Sequence, residues 1–141
     1  MTVPVRFPEA RQYVYAWDFL ADARGIETWR RTVALVLRAW GASDAAVEVA
    51  RLGLSELLAN VVRHVANPHC RLSVVPDGEW VTVRVEDRSS LLPVLMEPAW
   101  DAESGRGLWM LRMMCRDVGC SSQAGGKAVW FVLDLGLRGA A

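Results

Sequence analysis

The chain has 141 residues, 52% hydrophobic and 23% charged, and its sixteen basic and sixteen acidic side chains cancel to zero net charge. That length can bury a real core without metals or disulfides; no apolar run approaches the roughly 18 residues of a spanning helix, and no basic stretch followed by an apolar block marks a secretory leader. Zero net charge also lacks the footprint of a dedicated nucleic-acid binder, so the expectation is a single cytoplasmic domain over residues 1–141 whose partners are small molecules or proteins, not nucleic acid or membrane.

Val3 to Phe7 and Tyr13 to Phe19 are rich in β-branched and aromatic residues around Pro8, which predicts one or two short strands. From Gly25 the period becomes helical: Trp29, Val33, Val36, Leu37 and Trp40 recur on one side, and Gly41 stands where a stop is expected. Arg24, Arg30, Arg31 and Arg38 mark the wet face of this helix. Ser43 is a suitable N-cap for a second helix with Val47, Ala50, Leu54, Leu57, Leu58, Val61 and Val65 on its apolar side, ended by Asn67-Pro68.

Arg71 to Val75 and Glu79 to Glu86 alternate around Pro76-Asp77-Gly78, which predicts a hairpin turning on those three residues. Asp87 to Ser104 has no period and contains two prolines, so it reads as a long loop. Leu108, Leu111, Met114 and Cys115 predict a third helix over Gly105 to Arg116, and Val118 to Gln123 with Lys127 to Leu135 predict a closing hairpin around Gly125-Gly126. The order implies the α/β class: a two-layer α/β sandwich, with a mixed or antiparallel sheet and its helices on one face.

Cys70, Cys115 and Cys120 form no CxxC pair and read as reduced thiols, with Cys115 in the core. Seven tryptophans are many for this length. Trp29, Trp40 and Trp109 fit helix core faces, whereas an exposed pair among Trp17, Trp80 and Trp100 would mark a protein-docking surface or a homodimer seam.

Glu56, Asn60 and His64 recur every four residues, on one side of the second helix. A carboxylate there can orient a hydroxyl or a water, and an amide oxygen is a hard ligand suited to Mg²⁺ between phosphates. Taken alone, such a series is more often the solvated edge of a wet face. Asp87, at a strand exit, can hold the amino group of a base, or it can simply start a turn. The Gly105-Arg106-Gly107 stretch opens a helix with a backbone free of two Cβ atoms, where the dipole and unused N–H groups favour a phosphate.

In that order, the segments SELLANVVRH, VRVEDRS, ESGRGLWML and GGKAVWFVL resemble the GHKL (Bergerat-type) ATP-binding fold, and within it the small bacterial anti-sigma-factor serine kinases, over about Arg11 to Leu135. The resemblance implies ATP and Mg²⁺ as cofactors. It makes Glu56 the catalytic base, Asn60 the Mg²⁺ ligand, Asp87 the reader of the adenine amino group, and Gly105, Arg106 and Gly107 the phosphate loop. Residues Leu91 to Glu103 would be the ATP lid, and Lys127 belongs to the last nucleotide-binding segment, where Trp130 reads as core.

The implied partners are an anti-anti-sigma factor, a sigma factor, or both. Ser89 stands where the family usually has glycine, and the lid is short without a glycine-rich centre. Those departures favour the alternative, a module on the same fold that sequesters a regulator without turning over ATP.

Overall fold

The structure, a computed structural model, describes residues 13–64, 67–90 and 106–137, without the side chains of His64 and Arg106. In chain order the elements are β1 (Tyr15–Leu20), a 3-10 turn (Ala23–Gly25), α1 (Ile26–Ala39), α2 (Asp44–His64), β2 (His69–Asp77), β3 (Trp80–Asp87), α3 (Arg106–Met114), β4 (Asp117–Gln123) and β5 (Gly126–Asp134). The expected strand at Val3 to Phe7 and the long loop beyond Ser90 lie outside the described residues.

Among the described residues five strands form one sheet in the order β1-β2-β3-β5-β4, with every neighbouring pair antiparallel. The expectation of a mixed or antiparallel sheet under helices therefore resolves to the antiparallel form. β5, the last strand made, is inserted between β3 and β4 and pairs with both.

The helices end where local chemistry requires. Gly41 takes φ +88, a backbone region that disfavours side chains, and its N–H donates to the Arg38 carbonyl while the Ala42 N–H donates to that of Leu37. These two bonds are the closing pair of a Schellman motif. The Ser43 hydroxyl accepts the Ala46 amide at 3.1 Å, capping α2 as its sequence predicts.

One layer boundary holds the core. Val33, Leu37 and Trp40 of α1 and Val47, Ala50, Leu54, Leu57, Leu58 and Val61 of α2 are buried. They meet Leu72 and Val74 of β2, Val81, Val83 and Val85 of β3, and Val129, Phe131 and Leu133 of β5 in the same cluster. Burial of these side chains, at about 25 cal/mol per Å² of apolar area, is the main force holding helices to sheet. At the middle of α2 the fit is tight: a Cβ on Gly53 would lie 2.6 Å from the Phe131 ring and 3.0 Å from Leu111. Glycine there lets α2 lie close to β5 and α3.

β1 is tied to α1 by aromatic contacts. Phe19 lies 4.2 Å and Trp17 5.5 Å from the Trp29 ring, centroid to centroid. Trp80 is half-buried beneath the Arg116 guanidinium, which sits 4.2 Å above its ring. With Trp17 stacked and Trp80 covered, neither forms the exposed pair that would mark a docking seam, and Trp100 lies outside the described residues. Trp130 belongs to the sheet face away from the helices, half-buried against Gly119, so it is not part of the core between the layers. Trp109 is also only half-buried.

Some boundaries differ from expectation: the closing hairpin turns on Ala124-Gly125, with Gly126 already in β5 opposite Gln123. The first hairpin turns on Gly78-Glu79, and Pro76 lies within β2 opposite Val81. Proline is tolerated there because β1 pairs with β2 only as far as Val74, so among the described residues no strand asks Pro76 for an N–H. The third helix ends at Met114 rather than Arg116, because the Arg116 amide already donates to the Val132 carbonyl of β5. Met114, expected on the apolar side, is exposed, and Cys115 only borders the core.

Candidate functional site

Leu57, Leu58 and Val61 fix the rotation of α2 by burial, and this leaves Glu56 and Asn60, one turn apart, half-buried beside the core face. Leu108 and Leu111 do the same for α3. The consequence is a meeting of the two segments that the sequence separates by fifty residues: a Cβ built on Gly107 would run into the Glu56 carboxylate. The acid of α2 therefore sits directly against the first turn of α3, and only glycine leaves room for it. Arg106 and Gly107 are the first two residues of α3, among the four whose N–H groups find no partner within a helix. Gly105 lies outside the described residues.

Asn60 shares the Glu56 side of α2, and among the described residues its Oδ1 accepts from Arg63 alone, at 3.5 Å. Among the described residues no group of three or more His, Cys, Asp or Glu could hold a metal by itself. A single amide oxygen fits Mg²⁺, which keeps its waters and substrate phosphates and needs few protein ligands.

The second half of the candidate site forms at one end of the sheet. Burial alternates along β3 and places Asp87 on the helix-facing side, after Val81, Val83 and Val85. Its partner across β5 is Lys127, and across β2 it is Cys70. Lys127 Nζ reaches Asp87 Oδ2 at 2.8 Å, with the two side chains 8% and 3% exposed. Asp87 Oδ1 accepts the Ser89 amide at 2.8 Å. Burial first, then the charges of Asp87 and Asp18, pushes the Cys70 thiol up to about 12.

Four residues connect α2 to β2, so the Asn60 end of α2 and the Cys70–Asp87–Lys127 row share one end of the fold. A polar cavity of about 520 Å³ opens at that end of the sheet, lined in part by Asp87 and by Asp18, Arg71 and Glu86, the last three on the sheet face away from the helices.

Sequence reasoning named all four of Glu56, Asp87, Gly107 and Lys127, with Lys127 in the last nucleotide-binding segment. The structure adds a bond between Lys127 and Asp87. No local signal announces that bond, since it depends on β5 pairing with β3 across an intervening helix and strand.

A fold likeness is found in the crystal structure of the RsbU and RsbW domains of Rv1364c from Mycobacterium tuberculosis, with a TM-score of 0.68 at 17% identity. The match covers 86% of the present chain and 32% of that one, so the chain spans about a third of its length. At that identity the likeness is one of fold. No curated protein matches the sequence. Residues 19–133 match the histidine kinase-like ATPase domain profile, and they contain Glu56, Asn60, Asp87, Gly107 and Lys127. The chain belongs to the histidine kinase-like ATPase domain family.

Proposed function

We propose that this chain binds ATP with Mg²⁺ and regulates a protein partner by transferring the γ-phosphoryl group to a serine of an anti-anti-sigma factor. The observation that carries the reading is the contact of Gly107 with Glu56, which unites an acid with the opening of a helix. Phosphoryl transfer needs positioning and charge stabilisation more than covalent help. Glu56 would orient the attacking serine hydroxyl. The N–H groups at Gly105, Arg106 and Gly107 would cradle the phosphates at the positive end of α3, and Asp87 would accept the adenine amino group. Asn60 would hold Mg²⁺, which supplies neutralisation of phosphate charge when bound.

A second reading, in which the fold sequesters a sigma factor or another regulator without turnover, is favoured by one observation. Each oxygen of Asp87 already has one partner, in Ser89 and Lys127, so a base would have to share the carboxylate with them.

Calorimetric titration of ATP with Mg²⁺ separates the two, with Asn60→Ala and Asp87→Ala beside wild type. Saturable binding weakened by both substitutions, and label transfer from γ-labelled ATP that Glu56→Ala abolishes, is the expected outcome. Transfer by Glu56→Ala at the wild-type rate would remove the catalytic role. A folded wild type that takes up no ATP would leave only the sequestering module. The cytoplasm and a homodimer belong to the same proposal; among the described residues no helix is long and apolar enough to cross a membrane.

A further inference from the structure

The Asp87–Lys127 pair has hydrogen-bonding capacity left over. A carboxylate has about four lone-pair sites and an ammonium three N–H groups. Among the described residues, one site on each Asp87 oxygen and one N–H of Lys127 are used. With so little exposure, the unused groups of this pair have scarcely any water to meet. A buried ion pair offsets its own desolvation only when its remaining protons and lone pairs also find partners.

What remains is an acceptor beside a donor, 2.8 Å apart, on the helix-facing side of the sheet. The edge of a purine carries the complement: an N–H next to an acceptor, as N6 and N1 of adenine or N1 and O6 of guanine.

We propose that Lys127 is a second base-reading residue, which stays on Asp87 and donates another N–H to the acceptor neighbouring the group that Asp87 binds. This rests on the reading of the site as a nucleotide site, and it makes the base edge recognised by two residues on adjacent strands rather than by the aspartate alone. For an adenine nucleotide the Lys127 target is N1. For a guanine nucleotide it is O6.

The test deletes the ligand atom. Wild-type protein is titrated with ADP, with 1-deaza-ADP, in which N1 becomes a C–H while the amino group stays, and with GDP, all with Mg²⁺. A hydrogen bond to a charged group predicts that 1-deaza-ADP binds on the order of ten-fold more weakly than ADP, or worse. Lys127→Met should lose a comparable factor for ADP and no longer distinguish ADP from 1-deaza-ADP, with a thermal melt confirming that it is folded. Tighter binding of GDP, weakened by Lys127→Met, supports the same role with O6 as the target.

Equal affinity of the wild type for ADP and 1-deaza-ADP, with GDP no tighter, overturns the inference while leaving the nucleotide site intact. Lys127→Met binding ADP as well as wild type or better overturns it as well, because the ammonium would then block the base. A folded wild type that binds none of the three overturns both this inference and the function it rests on.

Discussion

Replacing Gly107 by alanine tests the contact on which the site depends. The added Cβ would enter the space of the Glu56 carboxylate, which is the free end of a half-buried side chain and can be displaced. Overlap of this kind costs about 1–3 kcal/mol, whereas exchanging glycine for alanine in a helix returns up to about 1 kcal/mol. Gly107→Ala alone should therefore cost between about 0 and 3 kcal/mol, several degrees of Tm at the upper end in a domain of this size. In a Glu56→Ala background the obstacle is gone, and the same substitution should stabilise by a few tenths to about 1 kcal/mol. The difference is a coupling energy of about 1–3 kcal/mol, measurable by urea unfolding of wild type, both single variants and the double variant. Activity should separate from stability, because a displaced Glu56 no longer faces the start of α3 even in a folded protein. A coupling below about 0.5 kcal/mol, the ordinary error of additivity, would mean that the two residues do not touch.

Gly53→Ala should be destabilising by about 1–2 kcal/mol despite its better helix propensity, since Phe131 and Leu111 are held in the core; an unchanged urea midpoint would contradict the close packing of α2. Asp87→Ala strands the Lys127 ammonium and should cost about 3–5 kcal/mol, with most of it restored in the Asp87→Leu/Lys127→Met pair; a double variant no more stable than Asp87→Ala would refute the buried pair. The thiols of Cys70 and Cys115 are both raised from 9.0 to about 12, Cys70 by burial, Asp87 and Asp18 and Cys115 by burial. Because the folded values are the higher ones, their contribution to stability is complete below pH 9 and is lost as the pH rises to about 12. The fall of unfolding free energy over that range should therefore be shallower in Cys70→Ala/Cys115→Ala than in wild type. At pH 8 both thiols should react with iodoacetamide much more slowly in the native protein than in urea, and equal rates would contradict their burial.

The two long helices were legible because a single cause, burial of one face, both spaces their apolar residues and places them in the core. Val33, Leu37 and Trp40, and Val47, Ala50, Leu54, Leu57, Leu58 and Val61, are buried as that rule requires, while Trp29 and Val36 are half-buried against the same core. Gly41 and Ser43 were legible because each acts within a few residues of itself. Pro76 was misread for the converse reason: whether proline must turn the chain depends on whether a neighbouring strand needs its N–H, and β1 stops short of it. Met114 was misread because competition from β5 for the Arg116 amide ends α3 early. Within the site, residue types and order pointed to Glu56, Asp87 and Gly107. Their meeting was not legible, since Glu56 and Gly107 come together only through the packing of α2 on α3, and Asp87 and Lys127 only through the β3–β5 register.

The insertion of β5 between β3 and β4 has a consequence for synthesis. As the chain leaves the ribosome, β3 is complete some forty residues before its inner neighbour exists, and one of its edges has no native strand to accept it. Residues 126–134 then provide that strand, the Phe131 ring against Gly53, and the ammonium beside Asp87 in one event. Until that moment the Asp87 carboxylate lacks its Lys127 counter-charge and the hydrophobic layer lacks its middle. The buried ion pair and the completed core therefore arrive together, and a nascent chain stopped before residue 126 should expose an open strand edge that chaperones bind.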